Sequence, residues 1–180
     1  MSDQPQDQLS VLKLVTGRLD AARIPYMITG SIAGGLYGHP RMTRDIDVVA
    51  ELEPADASRL AAALGDEFSA DPEIIRSAIS RQSLFNVIHR EAIVKVDFVV
   101  RKNTAYRVEE FGRRRLVEVD GHPLWMVAPE DLILSKLARA RDSHSPTARR
   151  PWHSRSSGGQ ARSGPFEPLG VHPVGRRVAA

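Results

Sequence analysis

The sequence has no cysteine, which excludes a disulfide framework and any thiolate metal site. It has no run near the roughly 20 apolar residues that a bilayer-spanning helix needs. Its N-terminus is polar and acidic, unlike a secretory leader. These absences lead us to expect a cytoplasmic protein with no membrane partner. The six histidines show no metal-ligand spacing, and no nucleophile–base arrangement is found. A basic body is missing too. Residues 139–180 hold eight arginines against Asp142 and Glu167, a surplus of six positive charges, whereas the whole chain is only +3. The first 138 residues are therefore mildly acidic, and net charge is no argument for nucleic-acid binding. At 180 residues, one domain with a tail is the expected organisation.

What is present centres on residues 26–50. Tyr26-Met27-Ile28 reads as a short apolar strand that ends at Thr29-Gly30-Ser31. Small residues from Ile32 to Tyr37 suit about two helical turns, which Gly38-His39-Pro40 break. Arg41 to Arg44 then lead into Asp45-Ile46-Asp47-Val48-Val49, a second strand. A helix that starts straight after Gly30-Ser31 points free N–H groups and its positive dipole end outward. Gly30 admits a phosphate close to the backbone, and the Ser31 hydroxyl adds a donor. On a strand, Asp45 and Asp47 share one face while Ile46 and Val48 go to the other. Paired carboxylates of this kind suit a hard cation such as Mg²⁺ (or Mn²⁺) that also binds substrate phosphates. The combination equips a chain for nucleotidyl or phosphoryl transfer.

Gly30-Ser31 followed by Asp45-x-Asp47 resembles the signature of the polymerase-β-type nucleotidyltransferase superfamily. Within it, Thr43-Arg44-Asp45-Ile46-Asp47 and Ala128-Pro129-Glu130-Asp131-Leu132-Ile133-Leu134-Ser135-Lys136-Leu137 resemble stand-alone bacterial transferases of the AbiEii/AbiGii toxin type. The likeness spans roughly residues 8–150. It implies an α/β (α+β) nucleotidyltransferase fold, a small mixed sheet with helices mostly on one side. It also implies an NTP substrate, transfer to an RNA, protein or small-molecule hydroxyl, and a toxin–antitoxin setting with an antitoxin partner. A non-catalytic regulator that keeps the fold is the alternative reading.

The remaining elements follow from periodicity. Leu9, Leu12, Val15, Leu19 and Ala22 recur at helical spacing over residues 8–23, and Pro25 ends that helix. Helices are expected after Pro54, stopping at Gly65, and from Pro72 to Ile79. The period then becomes two over Leu84–His89 and Ala92–Val100, two adjacent strands. In the second, Lys95, Asp97 and Val99 share a face. A carboxylate in so apolar a strand has to be paired, exposed or bound to a cation, which makes Asp97 a third metal-carboxylate candidate; the resemblance implies the same. A short helix at 104–111 and a hairpin across Asp120-Gly121 follow. Pro129 then opens a last helix with Glu130 and Asp131 in its first turn. A helical wheel places Lys136 inside an apolar arc that includes Leu132, Ile133 and Leu137. Its ammonium then either reaches nucleotide phosphates, as the resemblance implies, or snorkels to the surface. Arg44 is a further candidate for phosphate contact, although an ion pair with a neighbouring carboxylate is an equal use.

The expected layout is a flexible segment at 1–7, a nucleotidyltransferase-like domain at 8–149, and a basic tail at 150–180. Pro, Gly, Ser and Arg dominate the tail, and the composition predicts disorder. A one-nucleotide shift of the reading frame would restore a helix-like pattern from Pro151 to Arg162, so the tail is compatible with a frameshift product. Sequencing the encoding DNA tests this. The frameshift reading requires apolar periodicity in the alternative frame, and a stop codon there overturns it.

Overall fold

A computed structural model describes residues 4–38, 45–143 and 172–173. Helix α1 (Gln4–Ala21) precedes strand β1 (Tyr26–Thr29), helix α2 (Gly30–Leu36) and strand β2 (Ile46–Ala50). Helices α3 (Asp56–Leu64) and α4 (Pro72–Ser80) lead to strands β3 (Leu84–His89) and β4 (Val94–Val100). Helix α5 (Ala105–Gly112), strands β5 (Arg115–Val119) and β6 (His122–Met126), helix α6 (Pro129–Ser143) and the two-residue β7 (His172–Pro173) complete the order.

The local signals act as their chemistry dictates. Gly65 ends α3 with φ of +66°, a conformation glycine adopts without Cβ strain. Asp71 caps α4, its carboxylate accepting from the N–H groups of Glu73 and Ile74, and Pro72 begins the helix where its missing N–H costs nothing. Asp120 and Gly121 both take positive φ, +48° and +73°, as a two-residue hairpin turn of the primed kind demands.

The strands form one mixed sheet in the order β3-β4-β2-β1-β6-β5-β7. β1 and β2 are antiparallel, β2 and β4 parallel, β3 and β4 antiparallel, β1 and β6 parallel, and β5 and β6 antiparallel. The β3-β4-β2 half has two unlike faces. Phe85, Val87, Val94, Val96, Phe98, Val100, Ile46, Val48 and Ala50 are buried, and on this half α4 packs on β3 and α1 on β4, with α3 held between the two helices. The opposite face carries Asp47, Val49, Lys95, Asp97 and Val99, all half-buried, and the exposed Leu84, Asn86 and Ile88. One side of this half is core and the other is open. β1 is different: all four of its residues are buried, and α2 packs beside it.

The last helix corrects an expectation. Of the apolar arc only Leu132 turns inward among the described residues: Ile133, Leu134 and Leu137 are exposed, and so is Lys136. The inward side is instead Asp131 and Leu132, with Ser135 half-buried. The reason is a polar interface with α5. Arg113 donates to Asp131 through Nε (2.9 Å) and Nη2 (2.7 Å). Ser135 donates to the buried Glu110 at 2.8 Å, and Arg107 pairs with Glu110 at 2.6 Å. A buried carboxylate has to be paired, and these pairs decide which side of α6 turns inward.

Of the tail, only His172 and Pro173 are described, and they pair with Glu118 and Val117 of β5. An edge strand presents unpaired N–H and C=O groups that any extended segment can satisfy. The rest of 150–180 lies outside the described residues, as do residues 1–3 of the segment expected to be flexible at 1–7, while residues 4–7 form the first turn of α1. Among the described residues no helix is long and apolar enough to cross a membrane.

The Asp131–Arg113 pair yields a prediction. The hydrogen bonds from Arg113 hold the Asp131 carboxyl below the usual carboxylate range. Its stabilisation is therefore present above the ordinary carboxylate pKa and is lost as pH falls through the depressed value. Asp131→Asn should lower the thermal midpoint at pH 7 by roughly 3–6 °C. The gap to wild type should shrink as the pH drops below the ordinary carboxylate range. Thermal melts of both proteins across that range check it.

Candidate active site

Two strand registers build the site. Thr29 of β1 is opposite Asp47 of β2, and Asp47 is opposite Asp97 of β4. Neighbouring strands lie about 4.8 Å apart, so Asp47 and Asp97 project side by side from the open face. Asp45 precedes β2 by one residue and comes level with Lys95. The Lys95 ammonium is 3.3 Å from Asp45 Oδ2 and 2.9 Å from Asp97 Oδ2.

Gly30 closes the other side of Asp47. Its φ is +68°, and a Cβ built there would lie 1.9 Å from Asp47 Oδ2. The Asp47 carboxylate thus occupies the space that any side chain at position 30 would need. Only glycine satisfies both the left-handed backbone and this contact. Ser31 follows at the start of α2, half-buried.

The electrostatics of the face are set by Lys95. Burial works against its charge, but the hydrogen bond to Asp97 and the charges of Asp97 and Asp45 outweigh it. The ammonium is held above the ordinary lysine range. Asp97 is more enclosed than Asp45 or Lys95, its side chain 14% exposed, and its Oδ1 is buried with no hydrogen-bond partner. A buried carboxylate oxygen left without a donor is costly, and a hard cation satisfies such an atom. Among the described residues no three His, Asp or Glu side chains already converge as a metal cage. The donor type is nevertheless the one a hard cation takes, carboxylates at one open face with an unsatisfied oxygen on Asp97.

Of the residues singled out from the sequence, Asp45, Asp47, Asp97 and Gly30 meet here, with Ser31 adjacent. Arg44, like Arg41 and His39, lies outside the described residues. Lys136 stands on the exposed side of α6, so the buried stem expected for it is absent. Lys95 was missed as a site residue. The signal was available, since a lysine two positions before Asp97 on a strand has to share its face.

A protein-family model described as a nucleotidyltransferase of unknown function (DUF6036) matches residues 8–146. The chain belongs to this family. No curated protein matches its sequence. Among solved structures, a Thermotoga maritima protein described as a nucleotidyltransferase is similar with a TM-score of 0.55 at 19% identity. That likeness covers 78% of this chain and 89% of the other, and it shows the nucleotidyltransferase fold. Looser likenesses are to the antibiotic-resistance factor ANT(2'')-Ia and to an antigenic nucleotidyltransferase-like protein from Paracoccidioides brasiliensis. The first has a TM-score of 0.47 at 17% identity, covering 83% of this chain and 78% of the other. The second has a TM-score of 0.46 at 17% identity, covering 79% and 71%. The superfamily expected from the Gly30-Ser31 and Asp45-x-Asp47 spacing is thus borne out in family and in fold.

For this nucleotidyltransferase family member, two glycines of α2 should respond in opposite ways. Gly30→Ala combines left-handed strain with a collision at Asp47 and should cost about 1–3 kcal/mol. Gly35→Ala meets nothing within 4 Å and lies inside a helix, so it should be neutral or stabilise by up to about 1 kcal/mol. Urea unfolding of both variants checks the pair.

Proposed function

We propose that the chain is a metal-dependent nucleotidyltransferase that moves a nucleoside monophosphate from an NTP to a hydroxyl acceptor. The observation that carries this reading is the alignment of Gly30, Asp47 and Asp97 on the open sheet face, with Asp97 Oδ1 buried and unsatisfied. Asp45, Asp47 and Asp97 would hold Mg²⁺ or Mn²⁺. The bound ion would offset the triphosphate charge and make the acceptor hydroxyl more acidic.

The protein's own groups have distinct tasks in this scheme. Asp97 would help accept the proton of the acceptor hydroxyl, a role that its enclosed carboxylate, with Oδ1 unsatisfied, supports. The acceptor oxygen forms a bond to the α-phosphorus as the bond to pyrophosphate breaks, so no protein nucleophile is needed. Gly30 keeps backbone close to the phosphates, and Ser31 donates a hydrogen bond to them. Arg44 and Lys136 would add positive charge for the phosphates and the departing pyrophosphate, as the resemblance to the superfamily implies.

The acceptor belongs to one of three classes: an RNA end, a protein side chain or a small molecule. The likeness of residues 43–47 and 128–137 to AbiEii/AbiGii-type enzymes supports a toxin role with a cognate antitoxin. A cytoplasmic setting accords with that role.

Each labelled NTP, incubated with Mg²⁺ and total RNA or cell extract, tests the proposal by transfer of label to an acceptor. Asp47→Asn should reduce transfer more than about a hundredfold, since even outer-shell partners of a metal are worth about 10–100-fold. It should also weaken Mg²⁺-dependent NTP binding in calorimetric titration, because a neutral amide is a poor ligand for a hard cation. Unchanged binding in both Asp45→Asn and Asp47→Asn would overturn the proposal.

A further inference from the structure

Lys95 is the one basic side chain paired with this carboxylate face among the described ion pairs. It does not sit beside the site as a spectator. Its single ammonium joins Asp97, 2.9 Å away, to Asp45, 3.3 Å away, so it bridges the two strands whose carboxylates would share a metal ion. Its stem rises from the same face of β4 as Asp97, two residues earlier, and that position sets the ammonium beside the carboxylate row. Asp97 Oδ2 is satisfied by it while Oδ1 stays buried without a partner.

We propose that Lys95 is a built-in counter-cation that competes with the metal ion for Asp97 and Asp45. The inference rests on the metal-binding reading above. In the metal-free protein the lysine offsets the repulsion among carboxylates that the core forces together. When a divalent ion binds, the ammonium has to leave Asp97 Oδ2. Its reach along the open face then brings it to the anionic substrate that arrives with the metal. Lys95 is thus a positioning residue. It lowers affinity for metal alone and favours metal entry together with a polyanion.

Titration with Mn²⁺ alone, followed by electron paramagnetic resonance, separates the possibilities. The proteins are wild type, Lys95→Met, Lys95→Gln, Asp47→Asn and the Lys95→Met/Asp47→Asn double variant. Removing a positive charge within a few ångströms of the ion should tighten Mn²⁺ binding about tenfold or more, and adding Asp47→Asn should abolish the gain. Metal-free Lys95→Met should also melt below wild type and recover more on adding Mn²⁺. If wild type binds Mn²⁺ through Asp47 but both Lys95 variants bind equally or more weakly, the counter-cation proposal is overturned and the metal site stands. If no protein in the set binds Mn²⁺, the metal reading itself falls and takes this proposal with it. A measurement on wild type alone keeps the test independent of variant folding. The Lys95 ε-methylene resonances should shift on saturation with Mg²⁺, and unmoved resonances overturn the proposal.

Discussion

The parallel pairing of β2 with β4 is the constraint on which the site depends. Ile46 and Val48 lie level with Val96 and Phe98, and all four are fully buried. The same register puts Asp47 opposite Asp97. A slip of one residue would exchange the faces, sending carboxylates into the core and aliphatic groups into solvent. Burial of an unpaired charge costs far more than any local preference could return. The hydrophobic core therefore determines where the chemistry is placed, and it does so without any contact between core residues and substrate.

β1 makes that placement useful. Its four residues are buried, it is antiparallel to β2 and parallel to β6, and the Val127 N–H donates to Ile28 at 2.9 Å. So fixed a strand delivers Gly30 to the same place in every molecule, against the Asp47 carboxylate. The rigid half of the sheet holds backbone, and the half-open side holds charge. Such a division is what preorganised binding of a polyanion requires, because groups set in advance need no reorganisation when charge arrives.

How much of this was legible in the sequence depended on whether the signal was local. Period-two alternation gave β3 to the residue, and Asp120-Gly121 fixed the hairpin turn through its backbone needs. The Asp45/Asp47 pair and Gly30 were readable because a strand and a following turn leave few choices. Asp97 was readable as a costly group in need of a partner, but its partner was not, since Lys95 acts through pairing between β2 and β4. The inward side of α6 was misread for a related reason. A wheel weighs only apolar content, whereas Arg113, Arg107 and Glu110 of the α5 segment recruit Asp131 and Ser135. Partners distant in sequence overrode the local pattern, as tertiary context does whenever a buried charge is involved. The strand pairing of His172 and Pro173 could not be read from composition either, because an edge strand accepts almost any extended segment.

The distance along the chain between Asp47 and Asp97 has a consequence for how the molecule comes into being. The two residues stand fifty positions apart, and contacts of such separation form late because the intervening loop has to be closed first. The β3–β4 and β5–β6 hairpins are local by comparison. During synthesis, β2 leaves the ribosome and waits several seconds for β4 at ordinary elongation rates of about 5–20 residues per second. Strand β6, the second neighbour of β1, emerges later still. A nascent chain interrupted before residue 97 holds a glycine turn and two aspartates but no opposite strand to align them. The carboxylate row thus comes into existence only when β4, the fourth strand in chain order, has been made.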